Sequence, residues 1–267
     1  MTPAEGPTRR VAATKVTADA RREVERTLPV ETPVAIVADA TTYAVMMATP
    51  ADLEDFAAGF LLTEGLIASC DDIRDLEVAE VALGIEVRVW LRPGVGAALT
   101  ERRRRLVGPT GCGLCGVESL AEAVRPPPRV EGPLTVSRDD IRTALEALAH
   151  GQTLGAATRA AHAAGLWRRG EGLVAVREDV GRHNALDKLA GALARAGDRA
   201  PGLLALTSRV SVEMVQKAAR LGAPVLAAVS APTTLALDAA ARAGMTVVAV
   251  ARSDGFEIFT HPERIEG

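Results

Sequence analysis

The chain has 267 residues and 27.8 kDa, with 48% hydrophobic and 24% charged residues, enough apolar material for a core without a disulfide or metal staple. Lys+Arg (31) against Asp+Glu (34) leaves a net charge of −3, and there are only two Trp, one Tyr and four Phe. A phosphate-binding nucleic-acid surface and an aromatic platform for single strands are both disfavoured. Three cysteines exclude a secreted disulfide framework.

Residues 1–22 are polar, broken by Pro3 and Pro7, and lack the apolar stretch of a secretory signal, so they read as a flexible arm. No run approaches the ~18 apolar residues of a membrane span, and a cytoplasmic protein with no membrane partner is expected. Pro33–Ala38 and Thr41–Met47 are β-prone runs separated by Asp39-Ala40, which predicts a hairpin. Thr49, Pro50 and Asp52 suit the cap, first position and capping-box acid of a helix carrying Phe56, Phe60, Leu61 and Ile67. In Gly84–Leu91, Ile85, Val87, Val89 and Leu91 share one face of a half-buried strand. Residues 23–124 therefore read as a small α+β domain ending in a Cys-x-x-Cys loop, followed by the stiff run Arg125-Pro-Pro-Pro128.

Residues 125–267 read as an α/β domain. Ser137 and Asp140 open a helix with Ile141, Leu145 and Leu148 on one face, and an alanine-rich helix is expected from Leu154 to Leu166. Short apolar strands at 173–176, 203–206, 225–229 and 246–250 then alternate with helices near 183, 211–221 and 232–243, and Phe256–Phe259 reads as an edge strand. The alternation predicts a mostly parallel sheet with helices on both faces. Ligands of such sheets bind beyond the carboxyl ends of the strands, where Glu178-Asp179, Ser208-Arg209, Ser230 and Arg252-Ser253-Asp254 fall.

Two clusters carry chemistry. In Thr110-Gly-Cys112-Gly-Leu-Cys115-Gly116 both cysteines lie between glycines, so a bulky partner can approach closely, and a following helical run over Glu118–Val124 favours a thiolate. The ligand count does not complete a zinc site, and no metal is expected. A redox dithiol and a sulfur-carrying nucleophile both remain open on the residues alone. Arg102–Arg105 beside the loop form a solvated run or an anion-attracting one, and Cys70 reads as a small hydrophobe. The second cluster, Arg177 to Lys188, packs Glu178, Asp179, Arg182, His183, Asn184 and Asp187 at a strand-to-helix turn, with His183/Asp187 and Asn184/Lys188 sharing helix faces. His150, His162 and His261 are weaker candidates. Walker A, Gly-x-Gly-x-x-Gly and nucleophile-elbow patterns are absent.

The cysteine loop, Glu178-Asp-Val-Gly-Arg-His-Asn-Ala-Leu-Asp-Lys188 and Ser211-Val-Glu-Met-Val-Gln-Lys217, in this order, resemble the FdhD/NarQ family, as do Thr49-Pro50, Gly59-Phe60 and Ser230-Ala-Pro-Thr233. The resemblance implies a cytidine deaminase-like fold and a homodimer. It implies a sulfurtransferase that takes sulfur from a cysteine desulfurase as a persulfide and passes it to the bis-molybdopterin guanine dinucleotide molybdenum cofactor required by formate dehydrogenase. It places the persulfide on Cys112, with Cys115 assisting, and the guanine dinucleotide part of the cofactor on Val250, Ala251, Arg252, Ser253, Asp254 and Gly255. Arg182, His183, Lys188, Arg209 and Lys217 are then candidates for holding the anionic cofactor. Two departures are Arg159-Ala160, where the family commonly has two glycines, and Ser208, where it has one. The zinc-deaminase pattern of His-x-Glu with Pro-Cys-x-x-Cys is not matched, so deamination is not expected.

Overall fold

A computed structural model describes residues 6–95 and 125–266. It opens on an antiparallel ribbon, β1 (Thr8–Val16) with β2 (Arg21–Pro29). Over residues 8–22 this corrects the flexible arm expected for 1–22. Val11, Thr14, Val16, Val24 and Thr27 supply strand propensity, but no ribbon residue is fully buried, so the polar composition conceals it.

The small domain follows. β3 (Thr32–Ala38) and β4 (Thr41–Ala48) form the expected hairpin, and Asp39 and Ala40 both take positive φ (45° and 61°), as a two-residue primed turn requires. After them come α1 (Leu53–Thr63), a 3₁₀ turn (Cys70–Asp72), β5 (Ile73–Val81) and β6 (Gly84–Leu91). The sheet order is β4-β3-β6-β5, with β3 and β6 parallel and the outer pairs antiparallel. The alternate face of β6 is buried as its periodicity predicts, against Val34, Ile36 and the α1 side chains Phe56, Phe60 and Leu61. The helix start differs from expectation. Asp52 is the N-cap, at φ 52° and without a side-chain cap bond, and Thr49 is engaged across the domain boundary instead.

The larger body contains β7 (Val136–Ser137), α2 (Arg138–Gly151), α3 (Thr153–Thr158), β8 (His162–Arg168), β9 (Gly172–Asp179), α4 (Arg182–Arg195) and β10 (Leu203–Leu206). It continues through α5 (Val212–Arg220), β11 (Val225–Ala228), α6 (Thr234–Ala243), β12 (Thr246–Arg252), β13 (Gly255–Thr260) and β14 (Ile265–Glu266). Ser137 and Asp140 form the predicted capping box on α2. The alanine-rich helix does not extend to Leu166. It stops at Thr158, and Arg159 (φ 57°) turns the chain into β8, in a left-handed conformation that glycine adopts at lower cost. Alanine favours helix, but this strand lies inside a sheet covered on both faces and needs small side chains. A Cβ on Gly165 would already lie 2.9 Å from both Leu148 and Leu173.

The six-stranded sheet has the order β13-β12-β11-β10-β8-β9. Only β10–β11 and β11–β12 are parallel, so the sheet is mixed rather than mostly parallel, because the unexpected β8 forms a hairpin with β9. α4, α5 and α6 cover one face through Leu189, Met214 and Ala236, and α2 covers the other through Ile141, Ala144 and Leu148. No helix among the described residues is long and apolar enough to cross a membrane.

The two bodies meet where α1 lies on α4. Gly59 and Gly191 let the backbones touch: a Cβ on Gly59 would lie 1.7 Å from the Asp187 carbonyl oxygen, and one on Gly191 1.9 Å from that of Asp55. Neither glycine has a positive φ, so the requirement is space alone. Gly59→Ala and Gly191→Ala are each expected to destabilise the chain by at least ~1–3 kcal/mol through overpacking, read as a lower urea midpoint. A midpoint unchanged in both variants would remove the backbone contact as a constraint.

Candidate functional site

The turn from β9 into α4 is organised by Asp179, which is 0% exposed. Its carboxylate accepts from the Thr49 N–H (2.9 Å), the Gly181 N–H (2.7 Å) and Asn184 Nδ2 (2.9 Å), and pairs with Lys188 Nζ at 2.7 Å. Lys188, also 0% exposed, donates to the Thr49 carbonyl at 2.9 Å, and Asn184 donates to that of Met47 at 2.9 Å. The predicted Asn184/Lys188 helix face is real, but both side chains converge on Asp179. Gly181 has φ −100°, so it supplies room beside Asn184 rather than an unusual backbone angle.

A turn further on, buried Asp187 accepts from Lys217 Nζ (2.9 and 3.0 Å) and Thr63 Oγ1 (2.5 Å), and Lys217 also reaches Glu64 at 2.8 Å. Burial alone pulls Lys217 toward neutrality, but Asp187 and Glu64 outweigh it and raise its pKa. The two lysines lie over the α1 rings Phe56 (5.9 Å) and Phe60 (5.6 Å). A third bridge joins buried Asp55 to Arg177 (2.7 Å) and Arg195 (2.5 Å). Lys188 and Lys217, expected to hold an anionic cofactor, are instead buried in ion pairs that tie the small domain to α4. Glu178 is likewise structural: it accepts from the Leu154 and Gly155 N–H groups at the start of α3.

What remains at this sheet end is cationic. Arg182 and His183 begin α4, Ser211 is the N-cap of α5, and exposed Arg209 lies between β10 and α5. Among the described residues, neither Arg182 nor Arg209 pairs with a carboxylate. Arg182 Nε, His183 Nε2 and Ser211 Oγ are buried without a hydrogen-bond partner. His162 belongs here too, although its alanine-rich surroundings disguised it. It pairs with Asp179 across β8–β9, and the β8–β10 register continues toward Ser208. Burial, then the charges of Arg182 and Arg209, hold its pKa below the usual value. His183 is pushed down to about 3 by burial, then by Lys217 and Arg182. Both shifts favour the neutral imidazole, and among the described residues no carboxylate pairs with Arg182 or Arg209. Unpaired guanidinium groups with orphaned donors at two helix N-termini suit an anionic group.

The Val250–Gly255 segment joins β12 to β13 at the same sheet end. Val250 takes φ 54°, an outlier for a β-branched residue, where the β12–β13 register shifts. Arg252 Nη1 donates to the carbonyls of Val229 (2.5 Å) and Ala251 (2.8 Å), and Ser253 and Asp254 are exposed. Four strand steps separate β12 from β9, so the segment lies ~19 Å from the Asp179 end at ~4.8 Å per step. The expected cofactor-binding residues are thus spread along the sheet end, with Val250–Gly255 at β12, Arg209 after β10 and Arg182 and His183 after β9. Cys112, Cys115 and Arg102–Arg105 lie outside the described residues. Cys70 is half-buried, and burial pushes its thiol pKa up, which leaves it a poor nucleophile.

These features define a two-body α/β protein with a cationic sheet end. Residues 29–266 match the model of the FdhD/NarQ family, and the chain belongs to that family. It is 54% identical to the sulfur carrier protein FdhD of Agrobacterium fabrum, over 96% of both chains. It is 51% identical to that of Brucella abortus, over 91% of both. Among solved structures it resembles a formate dehydrogenase accessory protein from Desulfotalea psychrophila. That likeness has a TM-score of 0.76 and 28% identity, and covers 97% of this chain and 99% of the other.

Two outcomes follow for the site. Lys188→Met leaves Asp179 buried and uncompensated and is expected to cost ~3–5 kcal/mol in urea unfolding, whereas adding Asp179→Asn restores part of the loss. A neutral single variant would show that the pair is not desolvated. His183 has a folded pKa of about 3 against 6.5 when free. The unfolded chain therefore takes up a proton that the folded one refuses. The stability this contributes is complete above pH 6.5 and falls away as pH drops toward 3. Between pH 7 and 4.5 the wild type is expected to lose ~1–3 kcal/mol more than His183→Gln, at ~1.4 kcal/mol per pKa unit. Equal losses would assign the acid sensitivity to other groups.

Proposed function

We propose that this chain is a sulfur carrier for formate dehydrogenase maturation, a sulfurtransferase working through a persulfide on Cys112. The observation that carries the reading is its similarity to sulfur carrier proteins named FdhD, 54% identical over 96% of the chain. The formate dehydrogenase accessory protein of the same fold agrees with it. In the first step the Cys112 thiolate attacks the terminal sulfur of a cysteine desulfurase persulfide. The sulfur–sulfur bond of the donor breaks, a new one forms on Cys112, and the desulfurase cysteine leaves as thiolate. No net oxidation occurs, and glycines on both sides of Cys112 give the access that such exchange needs. Cys115 assists as a neighbouring thiol.

The terminal sulfur then passes to the bis-molybdopterin guanine dinucleotide molybdenum cofactor, which is substrate here: the sulfur–sulfur bond on Cys112 breaks, Cys112 leaves as thiolate, and the reduced metal centre of that substrate gives the two electrons that turn the sulfane sulfur into sulfide. Such a substrate is long and anionic. A cationic sheet end spanning ~19 Å suits it: the guanine dinucleotide end at Val250–Gly255, the charged Arg209 midway, and Arg182 with the neutral His183 at the far end. The carrier works as a homodimer in the cytoplasm.

Incubating the chain with a cysteine desulfurase and cysteine, then measuring intact mass, is expected to show added sulfur in the wild type and none in Cys112→Ala. Equal gain in the variant would refute Cys112 as carrier. Equal damage from Cys112→Ala and Cys115→Ala, with cycling by a dithiol reductant, would favour a disulfide oxidoreductase.

A further inference from the structure

The β1–β2 ribbon plays no part in the site, and its register segregates charge by face. Residues directly opposite each other share a face, and faces alternate along each strand. One face carries Arg9, Lys15, Arg22 and Arg26, and no carboxylate. Its remaining positions are Val11, Ala13, Val24 and Leu28. The other face mixes Arg10 and Arg21 with Glu23 and Glu25 and is internally compensated, Arg10 lying 3.7 Å from Glu25.

The first face is not compensated. Lys15 stands directly opposite Arg22, a like-charge pairing that destabilises a ribbon, and among the described residues none of its four cations makes an ion pair. Its cations are exposed, as is Leu28 (40%). Among the described residues each strand hydrogen-bonds only to the other, and since β2 also packs against α3, it is the outer edge of β1 that keeps unpaired backbone groups. A two-stranded ribbon is marginal in water, and a third strand or a packed face stabilises it. An open β1 edge, an apolar centre and surrounding cations with no internal anion are together the features that an extended acidic chain complements.

We propose that this face of the ribbon docks an acidic, extended segment of a partner protein, which pairs along an open strand edge and sets its carboxylates against Arg22, Arg26 and Lys15. The proposal is independent of the sulfur-carrier reading.

The test titrates the full-length protein with a labelled peptide of alternating Glu and Val, and compares two variants carrying the same charge change. Arg22→Glu/Arg26→Glu alters the uncompensated face, and Arg10→Glu/Arg21→Glu alters the other. Circular dichroism checks that both fold. The first variant is expected to bind about tenfold or more weakly, and the second to stay within about twofold of wild type. Equal losses in the two variants, or no binding by the wild type, would overturn the proposal. So would tighter, equally face-dependent binding of phosphatidylserine vesicles or single-stranded RNA.

Discussion

The arrangement depends on two buried lysine–carboxylate pairs, Asp179–Lys188 and Asp187–Lys217, each with one member on α4 and completed from another body. A buried ion pair adds little net stability over a hydrophobic isostere, since desolvation offsets its attraction, but it is unforgiving of misplacement. Here the lone pairs of Asp179 are filled from Thr49, Gly181 and Asn184, and those of Asp187 from Thr63. Each network is satisfied only when the small domain sits in one position on α4. The glycine contact beneath enforces the same position sterically, because the helices approach too closely for a Cβ. Electrostatics and packing thus specify a single docking of the two bodies.

That docking has a chemical consequence. The same turn that buries Asp179 begins α4, so the hub that receives Thr49 also presents Arg182 and His183 at the sheet edge. The acids of the turn are used internally, and among the described residues Arg182 and Arg209 pair with no carboxylate. A chain with a net charge of −3 thereby shows a cationic edge. The lowered histidine pKa values follow first from burial, and the positive neighbours add to it.

Periodicity made much of the fold legible. The β3–β4 hairpin, the alternate face of β6, the capped α2 and the strand–helix alternation after residue 172 follow from local pattern. The errors arose where local preference opposed context. Alanine at 156, 157, 160, 161, 163 and 164 reads as helix, yet the second half of that run is a strand selected for small size between two layers. The mistake concealed His162 and made a mixed sheet look parallel. The ribbon was illegible because neither face is buried. In the site, helical spacing placed Asn184 and Lys188 on one face, but their common target precedes the helix. Asp187 finds its cation 30 residues away, a long-range contact that no local pattern encodes.

The lysines show why residue type is an incomplete guide to a binding site. Lys188 and Lys217 sit in polar, motif-rich sequence beside Arg182, and by composition all three are equivalent anion ligands. Accessibility and prior pairing separate them. A lysine whose ammonium is desolvated against a carboxylate has no field left for a ligand, and withdrawing it would expose a buried charge. An arginine with a buried, partnerless Nε has donor capacity to spare. The cationic edge is therefore defined by unmet electrostatic and hydrogen-bonding capacity rather than by the number of basic residues, and that remainder appears only once the buried pairs have been assigned.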